Sequence, residues 1–143
     1  MRQANCLFIN ISCLILLVAT SVGCQKKAAT IPVNGKVVYK GKPLEYGSVM
    51  FQPSGGGPIA RGTIASDGSF TLTTEKENDG AVPGEHQIRI TSFEAQKSAI
   101  QTRGEPTLGK SAIPQKYNSF GSSGLTESVS EDMKLPLVIE LSD

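Results

Sequence analysis

Two side chains carry most of the chemistry open to this sequence, His86 and Cys24. His86 is the only histidine, and Cys24 is the only cysteine beyond an apolar N-terminal stretch that holds Cys6 and Cys13. A histidine serves as general base or metal ligand, but a nitrogen–sulfur metal site needs three or four such ligands. No cysteine stands near His86 in the chain. Serines are many, yet no G-x-S-x-G element marks a nucleophile. Asp67 lacks the spacing of a calcium-binding EF-hand loop and suits a turn instead. Gly55-Gly56-Gly57 is followed by neither Lys-Ser/Thr nor a helix, so it does not form a phosphate loop. The pattern therefore predicts a non-enzyme with no metal and no cofactor. A small hydrolase using His86 is the enzymatic alternative.

These residues need elements to position them, and composition narrows the choice. The chain has 143 residues, a formal charge of +1 and 38% apolar residues. That is one globular domain rather than a disordered tail. A near-neutral charge gives no basic surface for phosphate, which excludes nucleic acid as a partner.

The N-terminus reads as an address. Arg2 precedes an apolar run over residues 7–22, interrupted by Asn10 and Ser12. Sixteen residues are short of the roughly 20 needed to span a bilayer. A basic start, a short apolar stretch and small residues at its end describe a cleaved signal peptide, residues 1–23; an uncleaved anchor is the alternative. Ser21-Val22-Gly23-Cys24 resembles the lipobox of bacterial lipoproteins, in which the cysteine thiol receives a diacylglycerol and the chain is cut just before it. Gly23 and Cys24 match that pattern, whereas Ser21 stands where leucine is usual. Ser21-Val22-Gly23 would also satisfy an ordinary signal peptidase, which would release a soluble protein. After the cut Cys24 would be the only cysteine, so no internal disulfide is possible. A lone exposed thiol in an oxidising compartment is a liability unless it is used, and lipidation uses it. Residues 24–30 would then be the lipidated cysteine and a tether of at most about 20 Å. The expected location is a bacterial membrane, with the body on its periplasmic or surface face. Gln25 after the cysteine, rather than aspartate, points to the outer membrane.

The remaining residues, 31–143, alternate apolar and polar with glycine turns between, which predicts an all-β domain. Seven strands are expected, over residues 31–40, 47–53, 61–65, 69–74, 86–91, 125–130 and 135–141. Ser66-Asp67-Gly68 is a hairpin signal, with Asp-Gly supplying positive φ angles. His86 shares parity with Ile88 and Ile90. Pro136 marks an edge strand or a strand start. Seven strands in this length fit an immunoglobulin-like two-sheet sandwich, with a small closed barrel as the alternative.

Val33-Asn34-Gly35-Lys36-Val37, then Gly41-Lys42-Pro43-Leu44 and Gly47-Ser48-Val49, resembles the opening of carboxypeptidase regulatory-like domains. Ser66 to Leu72 is similar to that family's D-G-S-F-x-L hairpin. Val82-Pro83-Gly84-Glu85-His86-Gln87-Ile88 is similar to its P-G-x-Y-x-V strand start, with His86 in place of tyrosine. Residues 113–118 and 123–126 look like a version found in small bacterial lipoproteins. The resemblance covers nearly all of residues 24–143. It implies a seven-stranded transthyretin-like sandwich acting as a folding, adhesive or spacer module, and it brings no catalytic residue.

Residues 92–124 form a long stretch without strand signal, a length that implies function or disorder. Mobility is expected over 94–112. Tyr117, Asn118 and Phe120 lie among Ser and Gly, a composition suited to recognition. They are the candidate binding residues for an envelope protein or glycan, with free strand edges as a second docking route. In the competing reading Ile113, Tyr117 and Phe120 pin the loop onto the sandwich, and the protein is a spacer without specific ligand.

Overall fold

The computed structural model describes residues 29–94 and 109–143. The segment read as a signal peptide, Cys24, most of the expected tether and most of the stretch expected to be mobile lie outside the described residues. The described chain is all-β, with two four-stranded sheets sharing one core. In the first sheet β1 (Asn34–Tyr39) is central. β2 (Lys42–Pro43) and β5 (Ser69–Thr71) pair antiparallel with β1, while β8 (Leu137–Leu141) pairs with it in parallel. The second sheet is antiparallel, in the order β4 (Ala60–Ile64), β3 (Gly47–Pro53), β6 (Gly84–Thr91), β7 (Leu125–Val129).

Period-two alternation builds the core. Val49 and Phe51 on β3 face inward with Ile88 and Ile90 on β6, their cross-strand partners. Val37, Phe70, Ile139 and Leu141 come from the first sheet and are buried against them. On the outer face of the second sheet, Met50 pairs with Arg61 on one side and Arg89 on the other. At the corner where the sheets meet, Arg61 and Thr73 exchange two backbone hydrogen bonds of 2.8 Å. The edge of β4 is partly covered by this contact.

Eight strands are present among the described residues. The addition to the expected set is the two-residue β2, folded back on β1 by Lys40-Gly41. Both turn residues have positive φ, 52° and 75°, the pattern of a type I′ hairpin turn. The Asp67-Gly68 turn differs from its expected form, because only Gly68 has positive φ. A Gly68 N–H bond to the Ala65 carbonyl and an Ala65–Ser69 backbone bond make it a three-residue loop ending in a left-handed glycine. Asp67 serves as a turn former, accepting hydrogen bonds from the Ser69 N–H and hydroxyl. β6 starts earlier than expected, at Gly84, and Pro136 immediately precedes the edge strand β8.

Asp79 organises the loop after β5. Its carboxylate accepts three backbone N–H bonds, from Thr74, Glu75 and Lys76. These bonds, led by that of Thr74, hold the carboxyl below its ordinary value of 3.8. A depressed folded pKa contributes stability that is present above the unfolded value and lost as pH falls through the folded one. Thermal stability should therefore decline below about pH 4. In Asp79→Asn an amide N–H₂ would face backbone donors, so the variant should be less stable at neutral pH and show a shallower acid decline. Melting curves across that range test this, and parallel curves for the two proteins would refute it.

Candidate functional site

His86 is 1% exposed, in the second sheet between Pro53 of β3 and Glu127 of β7. Its Nδ1 lies 2.9 Å from the Gly84 carbonyl oxygen, so Nδ1 carries the proton and donates. Nε2 is buried and has no hydrogen-bond partner among the described residues. Its ring sits 5.9 Å from that of Phe51. No described hydroxyl is engaged by Nε2 to become a nucleophile, and solvent does not reach it. Among the described residues no group of three or more His, Cys, Asp or Glu is placed to hold a metal ion.

Residues 109–124 complete the second sheet where β7 stops. β7 pairs with β6 only from Gly84 to Ile88. Further along, Ala112 N–H donates to the Ser92 carbonyl at 2.8 Å and Phe93 bridges Ser111. A 3-10 turn, Gln115–Asn118, and a single α-helical turn, α1 (Phe120–Ser123), then pack against β6. The buried Ser123 hydroxyl donates to the Ile88 carbonyl, and Gly124 at φ 65° redirects the chain into β7.

The three candidate binding residues fall in different environments. Tyr117 is 4% exposed and Ile113 is buried beside it in the core. The Tyr117 hydroxyl donates to the Ser142 carbonyl at 2.9 Å and accepts from the Ser142 N–H at 3.0 Å. Burial pushes the Tyr117 phenol up, but the Ser142 bonds and nearby Lys116 outweigh it and leave the phenol lowered. Phe120 is half-buried, with the Arg89 guanidinium 5.3 Å above its ring. Asn118 is half-buried, and its Oδ1 is shielded from solvent without a hydrogen-bond partner among the described residues. Tyr117 thus acts as an anchor, and Phe120 and Asn118 are the pair left at the surface.

Three participants carry no local signal. Arg89 lies on the outward parity of β6, donates to the Met50 sulfur at 3.1 Å, and covers Phe120. Its tie to a residue so distant in sequence cannot be read from either segment. Ser123 is one serine among many. Asp143 accepts from the Tyr39 hydroxyl at 2.7 Å and forms an ion pair of 2.8 Å with Lys40. Those two contacts, with the Lys40 bond first, hold its carboxyl below the ordinary range.

The strand edges on this side stay open. Among the described residues, β7 pairs only with β6 and β8 only with β1. Val138 on β8 and Leu135 just before it are 56% and 43% exposed, the large apolar residues at the described surface. Searches for a matching family model, for related curated proteins and for similar solved structures found none.

Proposed function

We propose that this protein is a non-enzymatic, lipid-anchored envelope protein that binds another envelope protein or glycan. Its body is read as a transthyretin-like sandwich of seven strands, with the two-residue β2 counted as part of the turn after β1. The anchor is the acylated Cys24, which holds the body at a bacterial membrane, the outer one, on its periplasmic or surface face. The observation that carries the binding role is the open edge of β8, where unpaired backbone groups lie beside the exposed Val138. Natural sheets limit such edges with charge or proline, and β8 carries the exposed Glu140 and follows Pro136; the backbone groups around Val138 still offer a partner strand main-chain hydrogen bonds. Phe120 and Asn118 supply a second contact on the 113–124 loop.

The test is a cross-linked pull-down from native cells, with membrane fractionation. The wild type should sediment with membranes and enrich one partner. Cys24→Ser should leave the membrane fraction and lose that partner. Val138→Lys should keep its melting temperature and lose capture, because lysine on an edge opposes strand addition. A membrane-bound wild type that enriches nothing overturns the binding role. The protein would then be a spacer lipoprotein, the reading favoured by the burial of Tyr117 and Ile113 as loop anchors.

A further inference from the structure

On the outer face of the second sheet, beside the corner where β4 meets β5, lies an open groove of about 580 Å³. Small-molecule sites span about 300–1,000 Å³. Its lining is unlike the usual apolar pocket. Thr63 on β4 and Thr71 on β5 bring hydroxyls to it, Arg61 lines it from β4, and Glu77 and Asn78 reach it from the loop ordered by Asp79. Met50 contributes an apolar surface. Arg61, Thr63, Thr71 and Glu77 are exposed, and their side chains make no hydrogen bond or ion pair to any described residue. Their hydrogen-bonding capacity is therefore available to a ligand.

We infer that this groove is a binding site for a short neutral oligosaccharide. A pyranose carries hydroxyls around its rim and a C–H face on its ring. A hydroxyl both donates and accepts, so one ligand satisfies the donor-only Arg61 guanidinium, the acceptor-only Glu77 carboxylate and the two threonines. Met50 receives the C–H face. Arg61 and Glu77 cancel in charge, which gives a net-charged ligand no advantage. A peptide adding as a strand would need the backbone edge of β4, part of which is already taken by the two Arg61–Thr73 bonds. The site adjoins the 113–124 loop through one chain of contacts, since Arg89 binds the Met50 sulfur and stacks on Phe120. The inference rests on the envelope-binding reading for its ligand class and names that class.

The test is a titration of the detergent-solubilised full chain with maltotriose, cellotriose and tri-N-acetylchitotriose, read by calorimetry and by amide chemical shifts. At least one should bind at millimolar strength or tighter, with shifts centred on Thr63 and Thr71. The double substitution Thr63→Val and Thr71→Val keeps shape and removes both hydroxyls. It should weaken binding by about tenfold, a loss equal to about 1.4 kcal/mol, with an unchanged melting temperature. Arg61→Gln should weaken it similarly. Heat from none of the three sugars overturns the inference, as does undiminished affinity in these variants or a shift pattern centred on Phe120. A successful titration beside a pull-down that captures nothing leaves the groove standing and sinks the envelope partner. A captured partner without sugar binding sinks the groove alone.

Discussion

Replacing Tyr117 by alanine should destabilise the body by about 3–5 kcal/mol, the range for truncating a large buried aromatic side chain. Native domains hold only about 5–15 kcal/mol in total, so the variant should be close to unfolding. The ring is 4% exposed and packs in the core beside Ile113. Its hydroxyl is bonded both ways to the Ser142 backbone, just beyond β8. Tyr117 therefore ties the 113–124 loop to the end of an edge strand. Tyr117→Phe keeps the ring and leaves the two backbone groups of the exposed Ser142 to water, so its cost should be smaller, about 1 kcal/mol. Urea denaturation with unchanged slope measures both. Phe120→Ala, at the half-buried position under Arg89, should cost less than either Tyr117→Ala or a core truncation and should weaken partner capture. The opposite pattern would reverse the roles: a stable Tyr117→Ala with capture lost makes Tyr117 the recognition residue.

The contrast between Tyr117 and Phe120 shows where sequence reading stops. Both are aromatic residues among small polar ones, and composition cannot rank them. Burial ranks them, and burial depends on β8, which arrives late in the chain. Strand positions were legible because alternation is a local signal: Val49 and Phe51 against Met50, and Ile88 and Ile90 against Arg89, fall on the faces expected. His86 was legible for the same reason, its parity placing it with Ile88 and Ile90. The sheet partners were not legible. Nothing in residues 34–39 says that the strand is flanked in parallel by 137–141, because a parallel pair has no connecting hairpin to announce it. Turn chemistry was half legible. Gly41 and Gly68 were recognisable as turn residues, but the positive φ at Lys40 sits on a residue type that carries no such signal. The groove beside Arg61 was hidden by the same non-locality, since its walls come from β3, β4, β5 and a loop.

The glycine of the Val33 to Val37 motif has a physical role that predicts the second large effect. Gly35 pairs with Leu137 of β8 on one side and Phe70 of β5 on the other. Its φ is not in the left-handed region, so conformational freedom is not the reason for glycine here. Space is the reason. A Cβ at Gly35 would strike the Leu137 carbonyl oxygen and would lie 2.6 Å from Cζ of the buried Phe70 ring. The carbonyl belongs to a hydrogen-bonded ladder and cannot rotate aside, and the ring is 3% exposed within the core. Overpacking of this kind costs about 1–3 kcal/mol and occasionally more. With backbone on one side and a filled core on the other, Gly35→Ala should reach about 3 kcal/mol. It should do so despite a gain of about 0.5–1 kcal/mol from removing glycine within a strand. Gly121→Ala is the control, because a Cβ there meets nothing within 4 Å. It should be neutral or slightly stabilising. The strain would be relieved most directly by moving β8 away from β1, so amide exchange along Leu137–Leu141 should accelerate before the second sheet opens. A Gly35→Ala protein of wild-type stability would mean that β8 does not hold this close register. The exposed edge at Val138 would then lose its fixed geometry, and with it the main physical support for docking a partner strand there.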